Sequence, residues 1–276
     1  MFSTKVNSLY TKLTMTEKKI ADYLIINGGD VDGVTSYELA ERLGIGQATV
    51  VRFSKKLGYR MFGEMIDDAK NSVGESSTEI QESDTASDIL EKLGQRTCDI
   101  IQSIRQSNDA ECFVRAAKLI DGAKNIVCYG YTTSNLFASY LSELLIEIGK
   151  GALCENNSIL TKRRVFQLDP QRDVVVIVSK SGEKSEPVGI AEYARSRGVP
   201  VIAISNAGKN PLVEASDVHL KVLEISDRSS PAASMGTDAG LVYVVETLAA
   251  CVFQCNQKLY RRQYGNNIVA AFSERK

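Results

Sequence analysis

The chain has 276 residues, 43% of them hydrophobic and 24% charged, with a formal net charge of −1. That length fits about two domains, and the composition is that of an ordinary soluble globular protein, with no stretch near the roughly 18 apolar residues of a membrane span and no apolar secretion-signal run in the N-terminal MFSTKVNSLYTKL. The near-neutral total gives no hint of a polyanionic partner and does not exclude one, because a small basic face can be balanced elsewhere.

Residues 1–73 read as short helices joined by tight turns. LTMTEKKIADYLIING opens on Thr14 with Glu17 three residues on, a capping-box spacing, and is expected to close at Gly28-Gly29. Ile20, Leu24 and Ile25 fall on one face of that helix. Thr35 with Glu38 repeats the spacing ahead of SYELAERLG, and MFGEMIDDAKNSV completes the block. The polar, serine-rich SVGESSTEIQESDTAS (72–87) has too few large apolar residues to bury a core and is expected to be a linker, followed by a connecting helix in ILEKLGQRTCDIIQSIRQS. The boundaries expected are therefore 1–73, 74–108 and 109–276.

From about residue 109 the pattern alternates. NIVCYG, GALCEN, DVVVIVS, PVIAIS and VHLKV read as strands, with amphipathic stretches such as SNLFASYLSELLIEIG and EPVGIAEYARSRG between them. Near-continuous apolar strands separated by helices predict a doubly wound α/β domain with a five-stranded parallel sheet, whose ligands bind beyond the carboxyl ends of the strands. The six cysteines (98, 112, 128, 154, 251 and 255) include no CxxC and read as reduced, mostly buried thiols of a cytoplasmic protein. No metal site or cofactor is expected, since His219 is the single histidine.

The stretch SYELAERLGIGQATVVRFSKKLG (36–58) has the makings of a helix-turn-helix. Ala40 is small enough for two helices to cross, Gly44 tolerates a positive φ in the turn, and Leu39, Leu43, Ile45, Val50 and Phe53 lock the helices together. The second helix then faces outward with Gln47, Ala48, Thr49, Arg52, Lys55 and Lys56, and Arg60 follows. Gln and Thr near a helix start can read base edges in the major groove, while the cations meet phosphates. From Arg52 to Arg60 there are four cations and no carboxylate. The plainer alternative is a solvated helical hairpin used for protein contacts, or for dimerisation in a small-molecule-binding assembly protein.

Two strand ends carry groups suited to an anion. YGYTTSN (129–135) combines Gly130, where the chain can pass close to a ligand, with the hydroxyls of Thr132, Thr133 and Ser134 at the start of a helix. SKSGEKSE (179–186) offers Ser179, Lys180, Ser181, Gly182, Lys184 and Ser185. Unbonded amides and the positive end of a helix dipole favour phosphate at such points. Serine-rich turns are also ordinary helix caps, so two on neighbouring strands carry more weight than one.

TEKKIADYLI and ELAERLGIGQATVVRFSKKLGY closely resemble the helix-turn-helix of RpiR/MurR-type bacterial transcriptional regulators, in which a linker and a sugar isomerase (SIS) domain follow. The resemblance implies an all-α DNA-binding domain, a SIS phosphosugar-binding domain, and control of carbohydrate metabolism genes. The second turn is similar to the S-x-S-G-x-T/S signature of SIS domains: Ser179, Ser181 and Gly182 match, while Lys184 stands where threonine is usual and Ser185 comes one residue late. In the first turn the family's G-x-G-x-S keeps Gly130 and Ser134 but has Thr132 for the second glycine.

The expected function is a transcriptional regulator whose affinity for operator DNA is set by a phosphosugar, acting as a homodimer or tetramer through the SIS block and the apolar DAGLVYVVETLAACVFQCNQKLY, which a buried core helix explains nearly as well. The alternative is a sugar-phosphate aldose–ketose isomerase, which needs a base to move a proton between neighbouring carbons. Glu143, Glu155, Glu183 and Glu186 are candidates for such chemistry, whereas His219 reads as the interior of a strand.

Overall fold

The computed structural model describes residues 2–9, 13–27, 31, 33–74, 80–223 and 235–272. The chain divides into two compact units, 1–95 and 96–276.

The first unit is helical: α1 (Phe2–Leu9), α2 (Met15–Asn27), α3 (Ser36–Leu43), α4 (Gln47–Lys56) and α5 (Phe62–Gly74). Both capping boxes form. Thr14 N donates to Glu17 Oε2 at 2.7 Å while Glu17 N donates to Thr14 Oγ1, and Thr35 and Glu38 make the same exchange ahead of α3. These bonds satisfy amides that a helix start otherwise leaves without partners. Gly44 ends α3 at φ 62°, the left-handed conformation that glycine adopts without penalty. Ile20, Leu24, Leu39, Ala40, Val50 and Phe53 are buried in one core. The side chain of Ile25 and the expected stop at Gly28-Gly29 lie outside the described residues. Of the expected linker, 75–79 lie outside them too, 80–85 are irregular, and residues 86 and 87 already belong to α6 (Ala86–Ser107).

In the second unit α7 (Ala110–Gly122) precedes β1 (Asn125–Gly130). Then come α8 (Ser134–Glu147), β2 (Gly151–Glu155), α9 (Ser158–Phe166), β3 (Asp173–Ser179) and α10 (Ser185–Ser196). The chain continues through β4 (Val201–Asn206), α11 (Pro211–Glu214), β5 (Val218–Val222), α12 (Ala239–Cys255) and α13 (Gln257–Phe272). Every strand pair is parallel and the order is β2-β1-β3-β4-β5. All seven residues of β3 are buried. Successive side chains point to opposite faces of a strand, so Val174, Val176 and Val178 enter one core while Val175 and Ile177 enter another. Helices α7, α8 and α12 cover the first face, joined by Ile100 and Ile104 of α6, and α9 and α10 cover the second.

Of the apolar segment read as a subunit contact or a buried core helix, residues 239–255 form α12, whose Leu241, Val244, Val245, Leu248 and Val252 are buried in the core of this same chain. All six cysteines are free, yet only Cys128 is buried: Cys98 and Cys255 are exposed and the other three are intermediate. Those five lie on helix flanks or, for Cys154, on the edge strand β2, where apolar spacing does not guarantee cover. Among the described residues no single helix is long and apolar enough to cross a membrane.

Candidate functional site

In the first unit α4 divides as expected between core and surface. Val50, Phe53 and Ser54 are buried. Gln47, Ala48, Arg52, Lys55, Lys56 and Arg60 are exposed, and Thr49 is half-buried. Gly46 caps the helix with no side-chain bond; Thr49 N donates to Gly46 O at 2.9 Å, and the amides of Gln47 and Ala48 remain available to an acceptor such as a phosphate oxygen. Gln47 Nε2 donates to Ser36 Oγ at 3.0 Å, which steadies the side chain at the helix start. The cationic strip is less uniform than its local sequence implies. Glu17 reaches over from α2 and pairs with Lys56 at 2.7 Å, whereas Arg52, Lys55 and Arg60 have no ion pair among the described residues.

In the second unit the two turns come together because β1 and β3 are neighbours. Gly130 is paired with Val178, so the strands end side by side at Gly130 and Ser179. Connections leave β1 and β3 toward opposite sides here, and such a switch point opens a crevice at the carboxyl ends of the strands.

Each turn is shaped by a glycine with no room for a side chain. A Cβ on Gly130 would lie 2.5 Å from the carbonyl carbon and oxygen of Ser134 and 2.6 Å from Asn135 N. The first turn of α8 thus rests directly on the strand end, and Asn135 Oδ1 accepts a bond from Gly130 N at 3.3 Å. Thr132 stands at φ 52°, a strained conformation for a β-branched residue, and its hydroxyl donates to Tyr131 O at 2.8 Å. Thr133 precedes α8 without a side-chain cap, and Ser134 is buried at the helix start.

In the second turn Ser179 is buried and its Oγ accepts from Gly182 N at 3.3 Å. Gly182 has φ 70°, and a Cβ there would sit 2.1 Å from Asn210 Oδ1. Asn210 is itself buried and donates to Ser205 Oγ and to the carbonyls of Asn206 and Gly208. Ser181 Oγ accepts from Glu183 N at 3.3 Å. Lys184 precedes α10 without capping it, and both Lys184 and Ser185 are exposed. Two helices therefore start beside one another without side-chain caps, ringed by hydroxyls. At α8 the amides of Ser134, Asn135 and Leu136 donate to the carbonyls of Tyr131, Thr132 and Thr133, so there the hydroxyls and the helix dipole are what suit a tetrahedral oxyanion.

The remaining polar groups are committed in ways the sequence did not disclose. Lys180 Nζ forms an ion pair with Asp238. Tyr129 OH donates to Glu186 Oε2 at 3.0 Å; burial, followed by that carboxylate, pushes the phenol above its ordinary range. Glu155 pairs with Arg164 at 3.5 Å. Glu143 is exposed nine residues into α8, about 13 Å along the helix from Ser134, away from the turns. His219 lies in β5 with Nε2 3.1 Å from both the hydroxyl and the carbonyl of Ser205, and burial holds it below its ordinary pKa. No cluster of three or more His, Cys, Asp or Glu side chains that could hold a metal occurs among the described residues. Asn210, Ser205 and Asp238 lie outside the two hydroxyl-rich turns, and Asn135 closes the first of them without a hydroxyl to mark it; only an amide type tolerated at loop ends distinguished the two asparagines.

Comparison with known proteins agrees with both halves. The family model described as "Helix-turn-helix domain, rpiR family" matches residues 2–66, and that of the SIS domain matches residues 119–245. An uncharacterized HTH-type transcriptional regulator of Haemophilus influenzae is 27% identical over 258 residues, 91% of this chain and 89% of that protein. Among solved structures, the Vibrio vulnificus NanR protein complexed with ManNAc-6P aligns with a TM-score of 0.61 at 22% identity, covering 98% of each chain. The sugar isomerase domain of the RpiR transcription factor from Sphaerobacter thermophilus aligns at 0.58 and 18%, covering 64% of this chain and 97% of that one. The chain belongs to the RpiR-type transcriptional regulators, with a helix-turn-helix followed by a SIS domain.

Proposed function

We propose that this regulator binds operator DNA through α4 and that a sugar phosphate bound between β1 and β3 sets its affinity for that DNA. One observation carries the reading: two hydroxyl-lined helix starts without side-chain caps lie side by side at the sheet's switch point, each shaped by a glycine with no space for a Cβ. The effector's phosphoryl group is held by Ser134, Ser179 and Ser181, by Thr132, and by the amide that follows Gly130, with Lys180, Lys184 and Ser185 at the rim. Gln47, Ala48 and Thr49 face base edges, and Arg52, Lys55, Lys56 and Arg60 face phosphates. The ManNAc-6P bound by the NanR protein supports a phosphosugar as the ligand class.

Operator recognition calls for two copies of α4 on half-sites about one helical turn apart or a multiple of it, so the protein acts as a homodimer in the cytoplasm. A groove of about 460 Å³ between α8, α12 and α13, lined by Leu144, Ile148, Ala249, Phe253 and Tyr264 among others, supplies an apolar face for a second copy. Carbohydrate metabolism genes are the targets, and binding alone is the purpose of the site.

Replacing Ser179 and Ser181 together by alanine is expected to abolish the effector's influence on operator binding and to leave DNA affinity unchanged without effector. Arg52→Ala is expected to do the reverse, weakening DNA binding about tenfold and lowering the salt slope by about one, with effector affinity intact. Shift assays at several salt concentrations and a thermal-shift panel of sugar phosphates measure both; the opposite pattern in either variant breaks the assignment.

The isomerase reading draws on the likeness to a sugar isomerase domain. In the site Glu143 is remote and Glu155, Glu186 and His219 are held by Arg164, Tyr129 and Ser205, which leaves Glu183, exposed in the second turn, as the candidate base for that reading. Exchange between aldose and ketose phosphates, followed by NMR with the pure protein, would establish it.

A further inference from the structure

Lys180 lies between the two serines of the second turn, and its carbonyl accepts a bond from Asn206 N at 2.8 Å. Its side chain leads away from that turn. Nζ forms an ion pair with Asp238 and lies 6.0 Å from the centre of the Phe137 ring on α8. Asp238 stands at the N-cap position of α12. An aspartate there ordinarily turns its carboxylate onto the amides of the first helical turn, with an extended backbone. Asp238 makes no such bond, its backbone is helical at φ −68° and ψ −20°, and its Oδ1 is the atom that meets Lys180 Nζ. The carboxylate has exchanged its local role for Lys180.

The start of α12 is also where α6 is gripped. A Cβ on Gly240 would come 2.4 Å from Ile104 Cδ1 and 3.0 Å from Ile100 Cγ2, so the two helices touch with nothing between them. Three residues before Asp238, the carbonyl of Met235 accepts a bond from Arg96 Nη1 at 3.1 Å. Arg96, Ile100 and Ile104 all belong to α6, which begins at Ala86.

We infer that Asp238 is a built-in competitor for the effector and the first element of the signal leaving its site. The inference rests on the reading of the two turns as a phosphoryl site. Without ligand, Asp238 neutralises Lys180. A phosphoryl group beside the backbone of Lys180 offers nearly two charges and three strong acceptor oxygens, and Lys180 turns to it. Asp238 is then free to cap α12, which changes the turn that bears on Ile100, Ile104 and Arg96. A partly exposed ion pair is a weak hold, of a size that a ligand can exchange. The two states differ by one ion pair and one helix cap, and the ligand favours only one of them; such a differential is what coupling requires.

The test uses the full chain and its Asp238→Asn variant, titrated with inorganic phosphate while hydrogen–deuterium exchange is followed at 96–104 and 238–243. The variant is expected to bind phosphate about three- to five-fold more tightly, because no carboxylate competes for Lys180. Phosphate is expected to alter exchange in both segments of the native protein and to leave them nearly unchanged in the variant, where the ion pair is already gone. Phosphate affinity that is unchanged or weaker in the variant overturns the competitor role and leaves the phosphoryl site standing. If the native protein binds no phosphate, the phosphoryl site fails and the inference fails with it.

Discussion

The reading face of the first unit and the cradle of the second assemble their chemistry in opposite ways. Every residue expected to meet DNA lies between Gln47 and Arg60, on one helix and the turn after it. The cradle draws on 130–134 and 179–185, with Ser205, Asn210 and Asp238 behind them. A helix face needs only its own periodicity and a core beneath it, so its tolerance to change should follow surface chemistry. A cradle built where two parallel strands end side by side needs close approaches that leave no room for a side chain, so its tolerance should follow glycine geometry. The contrast teaches where mutation separates folding from function: on α4 the two are divided between faces, whereas at Gly130 and Gly182 they coincide.

Substitutions can break or sharpen that contrast. The largest effect is expected from Phe53→Ala, which empties a fully buried position of the first unit and costs about 3–5 kcal/mol; DNA binding should vanish in a shift assay. Retained binding would mean that the core beneath α4 is not what holds its outer face in place. Gly130→Ala comes next. Its methyl meets backbone of Ser134 and Asn135 that cannot swing aside, so a loss of about 3 kcal/mol is expected, together with loss of any phosphate-induced thermal shift. A fully responsive variant would show that the close approach is dispensable. The smallest effect is Thr132→Gly. Relief of the strained φ of 52° is worth about 1–2 kcal/mol, partly offset by the flexibility of glycine in the unfolded chain. The melting temperature should rise by about 2–4 °C while phosphate binds less tightly, because a hydroxyl is lost. Unchanged phosphate affinity would remove Thr132 from the site.

Much of this arrangement was legible in residue order. Both capping boxes, the αL turn at Gly44, the inward set Leu39, Ala40, Val50 and Phe53, and all five strands appear where local pattern put them. The reason is that capping, helical periodicity and apolar runs are short-range signals. The turns after Gly130 and Ser179 were visible too, because small hydroxyl residues after a buried strand are conspicuous. Partners distant in sequence left no such mark. Glu17 opposite Lys56, Asn210 filling the space beside Gly182, and Asp238 on Lys180 are ordinary residues in ordinary stretches. Apolar content likewise did not reveal whether α12 faces its own core or another chain; its packing against α7 and α8 settled that for the buried side.

Sequence alone determined that this protein has a basic, outward-facing second helix in a helix-turn-helix, and two hydroxyl-rich turns at the ends of buried parallel strands, since each is encoded within a few neighbouring residues. Tertiary structure alone decided that those two turns adjoin, through the order β2-β1-β3-β4-β5, and that the cation between the serines is held by a carboxylate from α12. Strand order and long-range ion pairs depend on how separate segments pack against one another, and no single segment carries that information.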